Sequence, residues 1–257
     1  MQDLKLTLIQ ALLHWQDPPA NRKHLASLID GIGEKTDLII LPEMFTTGFT
    51  MDAGRHAEAM DGESIAWMAE TASRTGATIC GSLIVAENGH HYNRLIWMPP
   101  DGVAGSYDKR HLFRMANEQE HYSAGTSRRI FTLNGWRVCP LVCYDLRFPV
   151  WCRGVDEFDL VLYVANWPAT RKSAWQVLLP ARAVENLCYS AGVNRIGSDG
   201  NGRQYSGDSV VVDHLGRTLL HCGGDETAAT VTLGADSLAR YRKKFPAHLD
   251  ADTFEIR

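Results

Sequence analysis

Three residues of the kinds used in amide cleavage each follow an apolar stretch of this chain. Cys143 ends the apolar run of residues 138–143, and Glu43 and Lys109 stand at the ends of two earlier predicted strands. At strand ends, neighbouring turns can aim backbone N–H groups at a substrate. A thiol can attack carbon, a carboxylate can transfer protons, and an ammonium group can stabilise an oxyanion. Together the three residue types indicate cleavage of an amide.

Each residue taken alone has a simpler explanation. Unpaired cysteine often acts as a small buried hydrophobe, and exposed lysine and glutamate are common on any protein surface. The combination of Cys143, Glu43 and Lys109, each at the end of an apolar run, is what favours chemistry over packing.

The sequence around these residues resembles, in the same order, the three motif blocks of the nitrilase superfamily, the carbon–nitrogen hydrolases. The blocks are Leu-Pro-Glu43-Met-Phe, Tyr-Asp-Lys109-Arg-His-Leu-Phe and Leu-Val-Cys143-Tyr-Asp-Leu-Arg-Phe-Pro. The similarity continues through residues 163–168 and 181–186 and is nearest to the bacterial ω-amidase branch. It implies that Cys143 is the nucleophile, Glu43 the general base and acid, and Lys109 the cation that stabilises the oxyanion.

The resemblance also implies further site residues. Many family members carry a second glutamate a few residues before a glycine, which points to Glu118 ahead of Gly125, with Glu120 as its competitor. Tyr144, through its backbone N–H, and Asn166 are assigned to the oxyanion and substrate-binding residues. The implied substrate is a small dicarboxylic acid monoamide such as 2-oxoglutaramate or 2-oxosuccinamate.

The implied reaction proceeds through a cysteine thioester to the free acid and ammonia, and neither a cofactor nor a metal is expected. The substrate's free carboxylate requires a cation, and Arg147 and Arg203 are both candidates. Each could instead be a structural ion-pair partner, and Arg147 could support the neighbouring nucleophile.

Several alternative functions remain open from the sequence. The chain could hydrolyse or decarbamoylate other small amides, or it could be a non-catalytic relative that acts as a binding subunit. A cysteine peptidase would use His111 or His121 as its base, although the peptidase signatures are absent around every cysteine. A zinc site using Cys139 and Cys143 is disfavoured, because four residues of strand span about 13 Å and two sulfurs on one zinc lie within roughly 4 Å.

Composition narrows the class of protein. The chain has 257 residues, 45% of them hydrophobic, and no Pro/Ser-rich linker, so we expect one domain over residues 1–257, which the resemblance implies is a carbon–nitrogen hydrolase domain. The net charge of −4, without a basic block, argues against a nucleic-acid partner. No stretch approaches the roughly 20 apolar residues of a membrane span, so no membrane partner is expected.

The cysteines and the first residues of the chain bear on its location. Six scattered cysteines are typical of reduced thiols, and residues 1–10 lack the features of a secretory signal. We therefore expect a cytoplasmic protein, and the family resemblance implies a homodimer.

Hydrophobic periodicity predicts alternating strands and helices, hence an α/β protein, and the resemblance implies an αββα sandwich of a single domain. Asp61 is predicted to cap a helix that Gly76 ends, and Pro180 to kink or break a helix through Trp175 and Arg182. The glycine-rich segment 197–207 is predicted to be a turn. The other predicted strands cover residues 4–8, 36–42, 77–85, 92–98, 103–107, 129–133, 138–143, 160–165, 187–193, 209–213 and 218–222.

Overall fold

Two six-stranded sheets face each other in the computed structural model, which describes residues 1–102, 105–154 and 156–255. The strands are β1 (Leu4–Gln10), β2 (Leu38–Ile40), β3 (Thr78–Glu87), β4 (His90–Met98), β5 (Gly105–Asp108), β6 (Phe131–Leu133), β7 (Trp136–Val142), β8 (Leu160–Ala165), β9 (Tyr189–Asn194), β10 (Ile196–Ser198), β11 (Gln204–Ser206), β12 (Val210–Val212), β13 (Thr218–His221) and β14 (Thr227–Leu233). The first sheet has the order β14-β1-β2-β3-β4-β5, and the second has the order β13-β12-β9-β8-β7-β6.

The helices of the described residues are α1 (Pro18–Asp30), α2 (Ala53–His56), α3 (Glu63–Thr75), α4 (Glu118–His121), α5 (Pro149–Cys152), α6 (Lys172–Asn186) and α7 (Ala235–Lys244). Helices α1 and α3 cover the outer face of the first sheet, and α6 covers the second sheet. The layers therefore run helix, sheet, sheet, helix, as expected for an αββα sandwich. No helix of the described ranges is long and apolar enough to cross a membrane.

The alternation of side chains along β1 explains the two apolar layers of the first sheet. Leu4, Leu6 and Leu8 point into the core between the sheets, whereas Ile9 belongs to the core under the helices. All four side chains are fully buried. Burial of each one contributes about 1.5–3 kcal/mol, so the pattern of β1 fixes which face meets the second sheet.

The strand directions bring the chemically interesting residues to one edge of the sandwich. Strands β1, β2 and β3 are parallel. Strand β4 is antiparallel to both β3 and β5, so β5 runs in the same direction as β1, β2 and β3. In the second sheet, β7, β8 and β9 are parallel. The carboxyl ends of parallel strands meet at one edge, and this is where α/β proteins form their sites.

Several predicted elements differ from the structure. Pro180 lies inside α6, which continues to Asn186, because buried Trp175, Leu179 and Ala183 hold the helix against the core on both sides of the proline. At the start of α3 the N-cap is Gly62, and Asp61 makes no cap bond. The carboxylate of Glu58 accepts the Ser64 backbone N–H at 2.7 Å instead, because it approaches the open helix end from the preceding chain.

Other differences concern short or late elements. The predicted strand 103–107 is seen as β5 from Gly105, since residues 103 and 104 lie outside the described residues. Segment 197–207 contains the turn of a small hairpin formed by β10 and β11. Neither β14 nor α7 was predicted, because β14 is rich in threonine and alanine and α7 buries only Ala235 and Leu238.

Candidate active site

The carboxylate of Glu43 is fully buried at the meeting point of the two sheets. It follows β2 by three residues, and its Oε1 accepts hydrogen bonds from Lys109 Nζ at 2.9 Å and from Asn93 Nδ2 at 2.8 Å. Its Oε2 accepts the backbone N–H of Asn166, directly after β8, at 2.8 Å. The next residue, Met44, has a φ of 42°, so the chain turns sharply after placing the carboxylate. Glu43 is therefore held from both sheets.

The ammonium group of Lys109 lies between two carboxylates. Its Nζ is 2.9 Å from Glu43 Oε1 and 3.0 Å from both carboxylate oxygens of Glu118. The aromatic ring of Phe49 covers it, with the centroid 5.1 Å from Nζ. Lys109 is 1% exposed and both glutamates are fully buried, so the three charges interact with little screening by water.

The pKa values of this cluster follow from its charges. Burial acts to lower the pKa of Lys109, but the charges of Glu118 and Glu43 outweigh burial and raise that pKa, so the ammonium form persists. Burial raises the pKa of Glu118, although Lys109 opposes the shift. The Phe113 backbone N–H, donated to Glu118 Oε2 at 2.6 Å, also favours the ionised form of Glu118.

Cys143 stands at the point where β7 becomes a 3₁₀ turn that ends at Arg147. Its φ is 42°, a left-handed conformation that non-glycine residues adopt rarely and that tends to occur at functional sites. The residue is half-buried. Burial raises the pKa of its thiol well above the usual value, the charge of Glu43 raises it further, and Lys109 acts in the opposite direction. The resting thiol is therefore protonated.

One pocket contains these reactive groups. Its empty space is about 420 Å³, part of it continuous with solvent, and its lining includes Glu43, Lys109, Cys143, Tyr144, Arg147 and Asn166. All three predicted motif residues and all three predicted binding residues thus border the same space. Glu118 stands behind Lys109, in contact with its ammonium group.

The structure distinguishes between the two candidate glutamates. Glu118 is fully buried against Lys109, whereas Glu120 is exposed. The spacing from Glu118 to Gly125 also has a physical reason, because the Gly125 backbone N–H binds the Lys109 carbonyl at 2.9 Å. A Cβ atom at Gly125 would lie 2.1 Å from the Asp108 carbonyl oxygen. Only glycine can approach the lysine segment this closely.

Some contacts were not predicted from the sequence. Asn93 binds both Glu43 and, more loosely at 3.4 Å, Glu118. The sequence feature that could have indicated Asn93 is its position on the same face of β4 as buried Leu95 and Trp97. Asn166 uses its backbone N–H for Glu43 Oε2 and its side-chain amide for the Glu43 carbonyl at 2.6 Å, so its observed contacts position Glu43.

The geometry bears on the peptidase and zinc alternatives. His111 Nδ1 donates to Asp145 Oδ1 at 2.7 Å, His121 is exposed, and neither histidine lines the pocket that contains Cys143. Cys139 lies buried within β7, four residues from Cys143. Within the described ranges, no group of three or more His, Cys, Asp or Glu residues is arranged to hold a metal ion.

Comparison with known proteins agrees with the fold. The chain belongs to the carbon–nitrogen hydrolase family, whose model matches residues 5–243, and the resemblance to the nitrilase superfamily is confirmed.

Within that family, the chain is 48% identical to Omega-amidase YafV of Escherichia coli, with all of both chains covered. It is 32% identical to the 2-oxoglutaramate amidase of Bacillus subtilis, over 95% of this chain and 96% of that protein. Among solved structures, XC1258 from Xanthomonas campestris, a CN-hydrolase superfamily protein with an arsenic adduct in its active site, matches all of both chains with a TM-score of 0.97 and 47% identity.

Proposed function

We propose that this protein is an ω-amidase, which hydrolyses the side-chain amide of a small dicarboxylic acid monoamide such as 2-oxoglutaramate or 2-oxosuccinamate. The observation that carries the proposal is a half-buried thiol that shares a pocket with Glu43, Lys109 and arginines that form no ion pair with any carboxylate of the described residues, while Glu118 contacts Lys109 from behind. The names of the E. coli and B. subtilis relatives support the same substrate class.

The first half of the proposed reaction forms a thioester. Because the Cys143 thiol has a raised pKa, it needs a base during attack, and Glu43 is the carboxylate whose charge faces it. Glu43 takes the thiol proton as sulfur bonds to the amide carbon, while Lys109 and the Tyr144 backbone N–H stabilise the oxyanion. Glu43 then returns the proton to nitrogen, the C–N bond breaks, and ammonia leaves.

The second half hydrolyses the thioester. Glu43 accepts a proton from a water molecule while the oxygen of that water attacks the thioester carbon. Lys109 and the Tyr144 backbone N–H stabilise the oxyanion again. The proton then returns to sulfur as the C–S bond breaks, which releases the acid and restores the thiol. Glu118 keeps Lys109 in place through both of its oxygens, and no step requires a metal or an organic cofactor.

The arginines of the pocket account for a substrate that carries a free carboxylate. Arg147 stacks over Trp167 at 5.0 Å, and Arg171 stacks over Phe113 at 5.2 Å. Neither guanidinium group forms an ion pair with any carboxylate of the described residues, and the same holds for exposed Arg203. Guanidinium groups held by aromatic rings are preorganised for bidentate carboxylate binding, so Arg171 joins the two predicted candidates.

Steady-state assays with 2-oxoglutaramate, 2-oxosuccinamate, glutamine and simple nitriles test the proposal. We expect the 2-oxo acid amides to have the highest kcat/KM, and Cys143→Ala to abolish turnover while the protein stays folded. Preference for a nitrile, or full activity of Cys143→Ala, would contradict the ω-amidase assignment.

We also propose that the protein acts in the cytoplasm as a homodimer, with no nucleic-acid or membrane partner. The cysteines, all of which are free thiols, support a reducing compartment.

Three exposed valines support pairing of two copies of the chain. Val150 of the short helix α5 is 58% exposed, and Val177 and Val184 of helix α6 are 67% and 47% exposed. Light scattering at micromolar concentration should give twice the chain mass; a monomer would contradict the pairing.

A further inference from the structure

A fully buried carboxylate that the proposed reaction does not use lies behind the nucleophile. Both oxygens of Asp145 are saturated with donors. Oδ1 accepts the backbone N–H of His111 at 2.9 Å and pairs with its Nδ1 at 2.7 Å. Oδ2 accepts the Tyr107 hydroxyl at 2.8 Å and the Val142 backbone N–H at 3.1 Å. A buried carboxylate with four such partners is rigidly oriented.

These donors come from the two segments that must meet for the reaction. Tyr107 and His111 lie two residues before and two residues after Lys109, at the edge of the first sheet. Val142 is the last residue of β7 in the second sheet and directly precedes Cys143. One carboxylate therefore connects the lysine segment to the cysteine segment across the gap between the sheets.

The donors are themselves held in place. The Trp151 indole N–H donates to the Tyr107 hydroxyl at 2.9 Å, and the His111 ring stacks on Phe148 with centroids 3.7 Å apart. Burial and the charge of Asp145 raise the pKa of Tyr107, which keeps the hydroxyl protonated as a donor.

The Asp145 side chain also closes the turn that carries the nucleophile. Its bond to the Val142 N–H spans Cys143, whose left-handed φ of 42° needs support from its surroundings. The same turn sets the direction of the Tyr144 backbone N–H, the proposed oxyanion donor. Asp145 thus acts on three reacting groups without lining their pocket.

We propose that Asp145 is a positioning residue, which fixes the Lys109 ammonium and the Tyr144 N–H relative to the Cys143 sulfur. This inference rests on the proposed function, because it assigns Asp145 to the same reaction. It follows that loss of the Asp145 contacts should slow the chemical step and leave substrate binding nearly unchanged.

Asp145→Asn tests the proposal, because the amide keeps the shape and replaces one acceptor oxygen with a donor that faces other donors. We expect kcat for 2-oxoglutaramate to fall about 100-fold and KM to change by less than about threefold. The matched control is Asp159→Asn. Asp159 is also buried and also joins two strands, through Arg137, but at the opposite ends of β7 and β8. We expect this control to lose stability and keep kcat per folded molecule.

A second readout separates positioning from general weakening of the fold. Lys109 lowers the pKa of the Cys143 thiol. Displacement of Lys109 in Asp145→Asn should therefore shift the pH profile of Cys143 alkylation by iodoacetamide to higher pH, whereas Asp159→Asn should leave that profile unchanged. Peptide mass spectrometry identifies the alkylated cysteine. If wild type fails to hydrolyse ω-amides, the proposed function fails, and the alkylation profile still decides the Asp145 proposal.

Tyr107→Phe covers the case in which Asp145→Asn does not fold. The ring stays buried and one hydrogen bond to Asp145 is lost, so we expect kcat to fall about tenfold with KM unchanged. The proposal is overturned if folded Asp145→Asn keeps kcat within threefold of wild type with an unchanged alkylation profile. It is equally overturned if only Tyr107→Phe folds and its kcat equals that of wild type.

Discussion

The substitution Glu118→Gln separates the reactivity of the thiol from its catalytic competence. At 3.0 Å and an effective dielectric constant of about 20, the attraction between Glu118 and Lys109 is about 5.5 kcal/mol. Glutamine keeps the shape and one acceptor, and Lys109 keeps Glu43, so we expect a net destabilisation of about 1.5–3 kcal/mol. The folded enzyme should survive and can be assayed.

Two opposite effects should follow from this substitution. Lys109 loses one of its two carboxylates and is drawn towards Glu43, which misplaces the oxyanion donor, so kcat should fall about 100-fold. The charge of Glu118 also raises the pKa of the Cys143 thiol, and its removal should lower that pKa. Iodoacetamide should then alkylate Cys143 faster at neutral pH although turnover is slower.

The matched control is Glu120→Gln, since Glu120 is exposed two residues further along the same short helix α4. It should leave kcat, the alkylation rate and the melting temperature unchanged. The reasoning is refuted if Glu118→Gln keeps wild-type turnover, or if its thiol is alkylated no faster than that of wild type.

Further predictions concern the pocket and the fold. Arg147→Met or Arg171→Met should raise KM for 2-oxoglutaramate at least about tenfold with little change in kcat, and an amide without a carboxylate should show no such effect. Gly125→Ala should lower kcat and melting temperature together, because the added Cβ forces the Asp108–Lys109 backbone to move; an unchanged kcat would contradict this. Burial acts to raise the pKa of Asp159, but Arg137 and Arg242 hold it below its usual value. The ionised Asp159 therefore stabilises the folded protein above about pH 4, and this contribution is lost as the pH falls through the lowered pKa. The urea midpoint of Asp159→Asn should depend less on pH in that window than the urea midpoint of wild type.

The sequence predicted that Glu43, Lys109 and Cys143 lie at strand ends, because each one ends an apolar run, and all three line one pocket. A strand that enters a core and then presents Glu43, Lys109 or Cys143 leaves few other places for that side chain than the edge of a sheet. Family resemblance added Glu118, which follows no strand and could not be distinguished from Glu120 by periodicity.

The remainder depended on three-dimensional contacts. Both faces of β4 are buried from Asn93 to Met98, so which face Asn93 occupies depends on the register of β4 against β3 and β5, which local pattern does not specify. Arg171 lines the pocket with its guanidinium group over the ring of Phe113, 58 residues earlier in the chain, and local pattern does not predict such a contact. Proline usually ends a helix, but α6 continues through Pro180 because burial of Trp175 and Leu179 outweighs this local preference.

The pairing of β14 with β1 has a consequence for biosynthesis. All seven residues of Leu4–Gln10 pair with Thr227–Leu233, so the interior strand β1 lacks one neighbour until β14, more than two hundred residues later in the chain, has been synthesised. Until then the emerging polypeptide exposes an unsatisfied strand edge on its ribosome, which is a template for aggregation. Folding of the first sheet must therefore wait for β14 and close a loop of more than two hundred residues.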